Sequence, residues 1–324
     1  MRQKTILGAL AVCGLMGSLP ASAQAVEVDK SIKSYAPAGK VSGNLTAIGS
    51  DTLNNLMTLW SESFKKQYPA VKIQVEGKGS TTAPPALIAG TAQLGPMSRL
   101  MKPEEVDGFE KQYGYKPTAV RVAVDGLAVF VNKDNPLEQL TMPQVDAIFS
   151  KTRKGGAPDD ILTWGQLGLT GAWAPKPISL YGRNSASGTY GYFKEHALYK
   201  GDYKDTVKET PGSAAVVQGV TADKYAIGYS GIGYKTSDVK SVKLAAKDGG
   251  EFVTDDAANV YSGKYPLARF LYIYVNKAPN KPLDPLVKEF LAFVLSKDGQ
   301  EIVIKDGYLP LLGQHVAEEL PKLK

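Results

Sequence analysis

Hydrophobic positions recur along this chain with two periods, one typical of strands and one typical of helices. Residues 71–75 alternate apolar and polar side chains, which predicts a half-buried strand. Residues 53–68 place apolar side chains three and four positions apart, which predicts an amphipathic helix. Further strands are predicted at 45–48, 93–97, 121–131, 178–181, 226–229 and 270–275, and further helices at 83–90, 102–113, 141–149, 190–198, 213–221, 285–295 and 297–305.

This alternation predicts an α/β fold with mostly parallel sheets covered by helices. The chain of 324 residues is too long for one typical core, so two domains are expected. The run at 121–131 is the most strand-like and is long enough to pass from one domain into the other. A second crossing strand is predicted at 270–275. Sheets of this kind bind ligands beyond the carboxyl ends of their strands, in the loops that open the next helices.

The first 25 residues have the features of a secretory signal peptide. Arg2 and Lys4 precede a short apolar run at 5–19, and small residues follow, so that cleavage after Ala23 or Ala25 is expected. The apolar run is too short for a good membrane span. We therefore expect an exported, soluble chain in the periplasm, with an extracellular location as an alternative.

Cysteine content and charge narrow the class of protein. The only cysteine lies inside the apolar run, so the mature chain would have none, which is typical of a bacterial periplasmic protein rather than a small disulfide-linked domain. Without Arg2 and Lys4, 36 basic residues face 32 acidic ones, and the net charge falls from +6 to +4. This mild excess favours anion capture. No basic run of the kind found in nucleic-acid-binding proteins is present, so no nucleic-acid partner is predicted.

The segment with the clearest chemistry is Arg-Asn-Ser-Ala-Ser-Gly-Thr at 183–189, directly before a predicted helix. Ser187 or Thr189 can cap that helix, and Gly188 lets a ligand approach the backbone closely. Free N–H groups at a helix start bind anions, and Arg183 adds a planar fork suited to tetrahedral oxyanions. A serine or threonine before a helix is often only a cap, so this segment does not decide the function by itself.

Two other segments repeat this chemistry without an arginine. Residues 48–54 contain Gly-Ser-Asp-Thr and residues 77–84 contain Gly-Ser-Thr-Thr, each before a predicted helix. Three helix starts suited to anions in one chain predict a bound oxyanion, and phosphate fits best.

Motifs for other chemistry are absent from the sequence. No phosphate loop of the nucleotide-binding type, no dinucleotide fingerprint and no nucleophile elbow occurs. The two histidines, His196 and His315, lack metal-ligand spacing. His196 lies about two helical turns beyond Thr189, which predicts a surface or packing role. We therefore predict no catalytic residue, no metal and no cofactor.

The three segments resemble the loops of the periplasmic phosphate-binding proteins of the PstS family. The matching residues are Gly-Ser-Asp-Thr-Leu at 49–53, Gly-Ser-Thr-Thr at 79–82, and Arg183 with Ser-Gly-Thr at 187–189. The resemblance extends from residue 41 to about residue 312. It implies a two-lobed binding protein (type II) with phosphate in the cleft, and an inner-membrane phosphate ABC permease as partner. We expect a monomer with one lobe at 26–129 and 270–324 and the other at 130–269.

The resemblance also implies which groups bind phosphate. Thr52 would use its hydroxyl and Leu53 its backbone N–H, while Ser80 would use both kinds of group. The second lobe would contribute Ser187, Gly188 and Thr189, with Arg183 as the charged partner.

Two positions depart from the family pattern. The family often has an aspartate that accepts the proton of hydrogen phosphate where this chain has Ser98, which we keep in the site. A second aspartate, two residues after the arginine, is Ser185 here. We assign the proton-accepting role to Asp51, with Asp125 as a second candidate. The alternative is that Asp51 only caps its helix or holds Arg183.

Three other functions are compatible with parts of the sequence. The ligand could be another tetrahedral anion, such as sulfate, molybdate or an organophosphate. A phosphatase-like hydrolase would use a serine among residues 185–187 but lacks a base nearby. A secreted adhesion or appendage protein would make use of export and of aromatic residues such as Tyr199, Tyr203 and Trp173.

Overall fold

The computed structural model describes residues 25–324, so the predicted signal peptide lies outside the described residues except for Ala25. In this part of the chain no helix is long and apolar enough to span a bilayer. The strands are β1 (Gly43–Ile48), β2 (Val71–Glu76), β3 (Gly95–Met97), β4 (Thr118–Gly126), β5 (Ala128–Asn132), β6 (Gln139–Thr141), β7 (Ser179–Arg183), β8 (Lys208–Thr210), β9 (Ala226–Ser230), β10 (Val239–Ser241), β11 (Lys243–Ala245) and β12 (Ala268–Val275).

Helices follow most of these strands. They are α1 (Asn54–Gln67), α2 (Ala83–Ile88), α3 (Pro103–Tyr113), α4 (Met142–Phe149), α5 (Gly188–His196), α6 (Ser213–Ala222), α7 (Ala257–Tyr261), α8 (Pro285–Val294), α9 (Lys297–Lys305) and α10 (Gly313–Glu319). Short 3₁₀ helices occur at Asp51–Leu53, Ser80–Thr82, Trp164–Leu167, Gly171–Trp173, Ile232–Tyr234 and Leu320–Leu323.

The strands form two groups, one for each lobe. In the first lobe β1 pairs with β2 in parallel, and β12 pairs with β3 and β4 in antiparallel fashion. In the second lobe the order is β10-β5-β9-β7-β8, with β6 and β11 as a separate parallel pair. The predicted α/β fold is confirmed. The sheets are mixed rather than mostly parallel, because the strands that carry the chain into and out of the second lobe pair in antiparallel fashion.

The predicted long strand at 121–131 is two strands in different sheets. β4 belongs to the first lobe and β5 to the second, and only Leu127 separates them. The chain returns to the first lobe at β12. The backbone N–H of Leu127 donates to the carbonyl of Leu267 at 3.1 Å, so the two passages lie side by side, where a hinge between the lobes is expected. The lobe boundaries at residues 129 and 269 stay a prediction.

Each lobe packs its helices against its sheet through aromatic side chains. In the first lobe Trp60 is fully buried, and its indole N–H donates to the carbonyl of Gly299 at 2.8 Å. In the second lobe the rings of Phe193 and Tyr229 stack with centroids 3.8 Å apart. Trp164 is also fully buried, and its indole N–H donates to the carbonyl of Tyr225. These contacts join helices to neighbouring helices, strands and connecting segments within each lobe.

Asp306, directly after α9, makes the stability of the first lobe depend on pH. Burial raises the pKa of this carboxyl from 3.8 to about 6, although a hydrogen bond from Asn55 opposes the shift. The folded chain therefore holds the proton more tightly than the unfolded chain, and stability from this group is lost as pH rises from about 4 to about 6. We expect Asp306→Asn to raise the melting temperature near pH 7.5 and to change it less near pH 4.

Thermal melts of the parent and of Asp306→Asn at the two pH values check this prediction. Asp159→Asn is the matched control, because Asp159 is exposed and should give no pH-dependent difference. A stabilisation by Asp306→Asn that is equal at both pH values would contradict the assignment.

Candidate anion-binding site

Three loops at the carboxyl ends of parallel strands supply the candidate site. They follow β1, β2 and β7, and each leads directly into a helical turn. The first two begin with the 3₁₀ helices at Asp51–Leu53 and Ser80–Thr82, and the third begins with α5 at Gly188. The first N–H groups of such turns have no partner within the helix and are available to an anion. All three segments singled out in the sequence therefore occupy the predicted kind of position.

Hydroxyl groups from both lobes meet at these loops. The hydroxyl oxygens of Thr52 and Thr189 are 2.8 Å apart, and both residues are fully buried. In the first lobe the Ser80 hydroxyl lies 3.3 Å from that of Ser98, which also accepts a hydrogen bond from Ser50 at 3.1 Å. Buried hydroxyls that can donate from several directions are suited to an anion held away from water.

Two glycines allow the lobes to come this close. A Cβ atom added to Gly188 would lie 2.2 Å from the Ser80 hydroxyl oxygen and 2.6 Å from that of Ser98. Gly79 has a φ of 117°, and a Cβ there would lie 2.4 Å from the carbonyl oxygen of Ala186. A larger residue at either position would push the two lobes apart. The predicted role of Gly188 in close approach is consistent with this contact.

Arg183, at the end of β7, brings a buried positive charge to the site. Only 1% of the residue is exposed. Nη1 donates to the hydroxyl of Ser213 at 2.7 Å, and Nη2 donates to the carbonyl of Pro211 at 3.1 Å. Within residues 25–324, Nε has no hydrogen-bond partner and could donate to a ligand. Burial lowers the pKa of the Arg183 guanidinium, and the nearby carboxylate of Asp51 opposes that shift.

Asp51 bridges the two lobes. Its Oδ2 lies 3.2 Å from Nη2 of Arg183 and accepts the backbone N–H of Ser213 at 2.7 Å. Its backbone carbonyl accepts a hydrogen bond from the hydroxyl of Tyr234 at 2.9 Å. These contacts match the alternative reading in which Asp51 holds Arg183. Because the carboxylate uses Oδ2 for both contacts, they leave Oδ1 for another donor.

The side chains of two predicted site residues make structural contacts within their own lobe. Ser187 caps α5, since its hydroxyl oxygen accepts the N–H groups of Thr189 at 3.1 Å and Tyr190 at 3.4 Å. The Leu53 side chain is fully buried in the core, so only its backbone can face a ligand. The helix cap predicted for this segment is thus Ser187 rather than Thr189.

Arg99, next to Ser98, is directed away from the hydroxyls. Its two terminal nitrogens donate to the two carboxylate oxygens of Glu105, each at 2.7 Å. The Ser98 backbone N–H donates to the Ser80 hydroxyl at 3.1 Å, so the loop after β3 is tied to the second anion segment. Ser98 therefore lies within the hydroxyl cluster as expected.

A second buried arginine, Arg269, lies at the start of β12 and was not predicted as part of the site. Its Nε and Nη2 donate to Oδ2 of Asp125 at 2.9 and 2.7 Å. Oδ1 of Asp125 accepts the backbone N–H of Ile232 at 2.9 Å. Both oxygens of this second candidate for proton acceptance are thus already occupied. The sequence signal was a charged residue beside an otherwise apolar strand, and the predicted strand began at 270, just after it.

The arrangement is chemically suited to holding an anion. His196 is exposed, and its ring packs 4.1 Å from that of Tyr192, which confirms the predicted surface role. Among residues 25–324 no group of three or more His, Cys, Asp or Glu side chains could hold a metal ion. The groups at the site are two buried arginines, the buried Asp125, the partly buried Asp51 and several buried hydroxyls, so the ligand would be recognised by charge and hydrogen bonding.

Comparison with known proteins defines the class of this chain. A model of the PBP superfamily domain matches residues 34–298. A putative phosphate ABC transporter substrate-binding protein from Clostridium perfringens, solved with bound phosphate, has a TM-score of 0.69 and 27% identity, over 83% of this chain and all of that one. A possible phosphate-binding protein from Planctomyces limnophilus has a TM-score of 0.63 and 28% identity, over 88% and 98%. The chain has the two-lobed fold of the PBP superfamily.

A relative with a similar sequence identifies the family within this superfamily. It is 58% identical over 322 residues to the phosphate-binding protein PstS of Pseudomonas aeruginosa, with 99% of each chain covered. The chain belongs to the PstS family of phosphate-binding proteins, as its three loops predicted.

Proposed function

We propose that this chain binds inorganic phosphate in the cleft between its lobes and delivers it to an ABC-type phosphate import permease. The observation that carries this proposal is the meeting of Thr52 and Thr189, from opposite lobes, at 2.8 Å beside the buried Arg183. The names of its relatives, a PstS protein and a phosphate ABC transporter substrate-binding protein, support the same ligand and partner.

The phosphate contacts follow from the arrangement of the loops. Hydroxyls of Thr52, Ser80, Ser98 and Thr189 and the free Nε of Arg183 would donate to the phosphate oxygens. The first N–H groups of the turns at Leu53 and Gly188 would complete the set. Asp51 holds Arg183, and Ser187 shapes the first turn of α5.

The proposal also includes the location, the oligomeric state and the partner of the protein. The chain is exported by its N-terminal signal peptide, acts in the periplasm as a monomer and contacts the inner-membrane permease. It acts as a binding protein rather than an enzyme, which its membership of a family of solute-binding proteins supports.

Purification of the protein without added phosphate tests the proposed function. Tight capture should leave one phosphate per chain, visible by native mass spectrometry and by a phosphate assay after denaturation. Calorimetry on the stripped protein should then show saturable binding of phosphate at one site. Absence of phosphate binding by the stripped, folded protein would overturn the proposal.

Asp51 is the residue that we expect to separate phosphate from sulfate. Near neutral pH phosphate carries at least one proton and sulfate none, so a fixed carboxylate accepts from the first and repels the second. Oδ1 of Asp51 remains for that proton, because Oδ2 serves Ser213 and Arg183. We expect Asp51→Asn to bind phosphate more weakly and to discriminate less against sulfate.

Competition binding of phosphate and sulfate, measured from pH 5 to pH 9, checks this expectation. If the asparagine variant rejects sulfate as strongly as the parent, Asp51 only holds Arg183. Tight sulfate binding by the parent itself would instead support the alternative ligand. Asp125→Asn is a less informative variant, since both carboxylate oxygens of Asp125 already accept hydrogen bonds.

The adhesion alternative is not favoured by the comparisons, and two of its three aromatic residues are packed. Tyr203 stacks on Tyr190 with ring centroids 4.5 Å apart and donates to its carbonyl. Trp173 packs edge-on against Trp164. Of the three, only Tyr199 is exposed. Tyr203 and Trp173 therefore stabilise the second lobe.

A further inference from the structure

Arg269 connects the hinge to the hydroxyls of the anion site. Its side chain is 2% exposed, and that of Asp125, its carboxylate partner, is fully buried. Besides Asp125, Nη2 donates to the hydroxyl oxygen of Thr189 at 3.0 Å, and Nη1 donates to the carbonyl of Ser98 at 2.9 Å. One side chain therefore contacts β4, the loop after β3 and the first turn of α5. The guanidinium also lies 5.1 Å from the ring centre of Tyr192, which limits its movement.

We propose that Arg269 is a positioning residue that orients the Thr189 hydroxyl as a donor to the bound anion and does so only when the lobes are closed. This inference rests on phosphate binding as proposed above. It adds a residue outside the three loops and assigns it a role that acts through Thr189 rather than by direct contact with phosphate.

The direction of the hydrogen bonds supports this role. A guanidinium can only donate, so the Thr189 oxygen must be the acceptor in its bond with Arg269. The single hydroxyl hydrogen of Thr189 is then left to point away from Arg269, towards Thr52 and the anion loops. Phosphate oxygens without a proton only accept, so binding requires this orientation. A hydroxyl that is oriented in advance loses less entropy when the ligand binds.

The contact also depends on lobe closure. Asp125 and Ser98 belong to the first lobe, whereas Thr189 lies in the first turn of α5 in the second lobe. The bond from Arg269 to Thr189 therefore crosses from one lobe to the other and would break if they separated. A ligand that binds better to the closed arrangement shifts the population towards it. Arg269 thereby makes one phosphate donor dependent on the hinge.

Charge alone does not account for Arg269. Its positive charge is compensated by Asp125 at 2.7 Å, so the pair adds little net charge to the site. Lysine keeps the charge but has one nitrogen and no planar fork. It cannot contact Asp125, Ser98 and Thr189 with the same geometry. Arg269→Lys therefore separates orientation from charge.

A double-mutant cycle on phosphate affinity tests the inference. We expect Arg269→Lys and Thr189→Val each to raise the phosphate Kd by about tenfold or more in calorimetry. The double variant should be little weaker than the weaker single variant, because the two changes remove the same oriented donor. Arg121→Lys is the matched control, since Arg121 lies on β4, the strand that pairs with the Arg269 strand β12, and forms ion pairs with Glu318 and Glu319.

The outcomes separate this inference from the proposed function. Equal affinity in Arg269→Lys and the parent would overturn it, and so would fully additive losses in the double variant. No phosphate binding by either the parent or Arg121→Lys would overturn the proposed function instead. Melting temperatures without phosphate report on folding. If Arg269→Lys does not fold, Thr189→Ser is expected to bind about tenfold tighter than Thr189→Val, and equal affinities would overturn the inference.

Discussion

Arg183→Ala is expected to weaken phosphate binding by about 3–5 kcal/mol while the chain still folds. The guanidinium is buried, and its Nε has no hydrogen-bond partner within the described residues. Removing it leaves the charge of the anion poorly compensated and also leaves Asp51 without its partner across the cleft. Such a loss corresponds to more than about a hundredfold in Kd, which calorimetry on stripped protein measures directly.

Arg153→Ala provides the control for Arg183→Ala. Arg153 also lies in the second lobe and pairs with Asp160 at 2.7 Å, but it is partly exposed. We expect Arg153→Ala to leave phosphate affinity unchanged, since such surface pairs contribute little to stability. An Arg183→Ala variant with the parent's Kd would remove this residue from the site.

Sequence was informative where the function depends on local features. A glycine, a hydroxyl residue and a following helix are adjacent in the chain, so the three anion segments could be found from spacing alone. The structure places all three at the carboxyl ends of strands, and it brings Thr52 and Thr189 into contact. Helix bounds were also predictable, as α9 at Lys297–Lys305 shows, because apolar spacing and a serine cap define them.

Other parts of the site depend on contacts between distant residues, which a single sequence does not show. Arg269 and Asp125 are 144 positions apart and meet only because β12 and β4 pair. The break of the run at 121–131 into two strands was hidden for a similar reason, since its apolar residues face cores in both lobes. Short elements such as α7 and β10 carry too few residues for a periodic signal.

Asp51 combines its predicted position in the first lobe with contacts to the second lobe. As predicted, it stands beside Thr52 at a helix start, and it also bonds to Arg183 and Ser213 in the other lobe. The contacts of Asp51 with Arg183 and Ser213 depend on closure of the lobes, as does the bond from Arg269 to Thr189. Both buried arginines are therefore linked to a carboxylate and to the approach of the lobes. Phosphate affinity and hinge closure are expected to change together in variants of either pair.

Gly188→Ala is expected to abolish high-affinity phosphate binding by preventing full closure. The added Cβ would lie 2.2 Å from the Ser80 hydroxyl oxygen and 2.8 Å from Cβ of Ser80, so rotation of the hydroxyl does not relieve the overlap. Alanine is favourable within a helix, so α5 and the second lobe should remain folded. Small-angle scattering should show that phosphate reduces the radius of gyration of the parent and not of the variant, because hinge closure is blocked.

Gly191→Ala, on the same helix, is the control for this steric argument. A Cβ at Gly191 would lie 3.4 Å from Cδ of Arg99, which is close to an ordinary contact with a flexible side chain. It has the same gain in helix propensity but no clash between the lobes. We expect Gly191→Ala to bind phosphate and to become compact on binding, as the parent does. If Gly188→Ala also bound phosphate and became compact, the steric argument would be wrong. The lobes would then not need to approach as closely as the contact between Thr52 and Thr189 requires, and phosphate would have to be held mainly by one lobe.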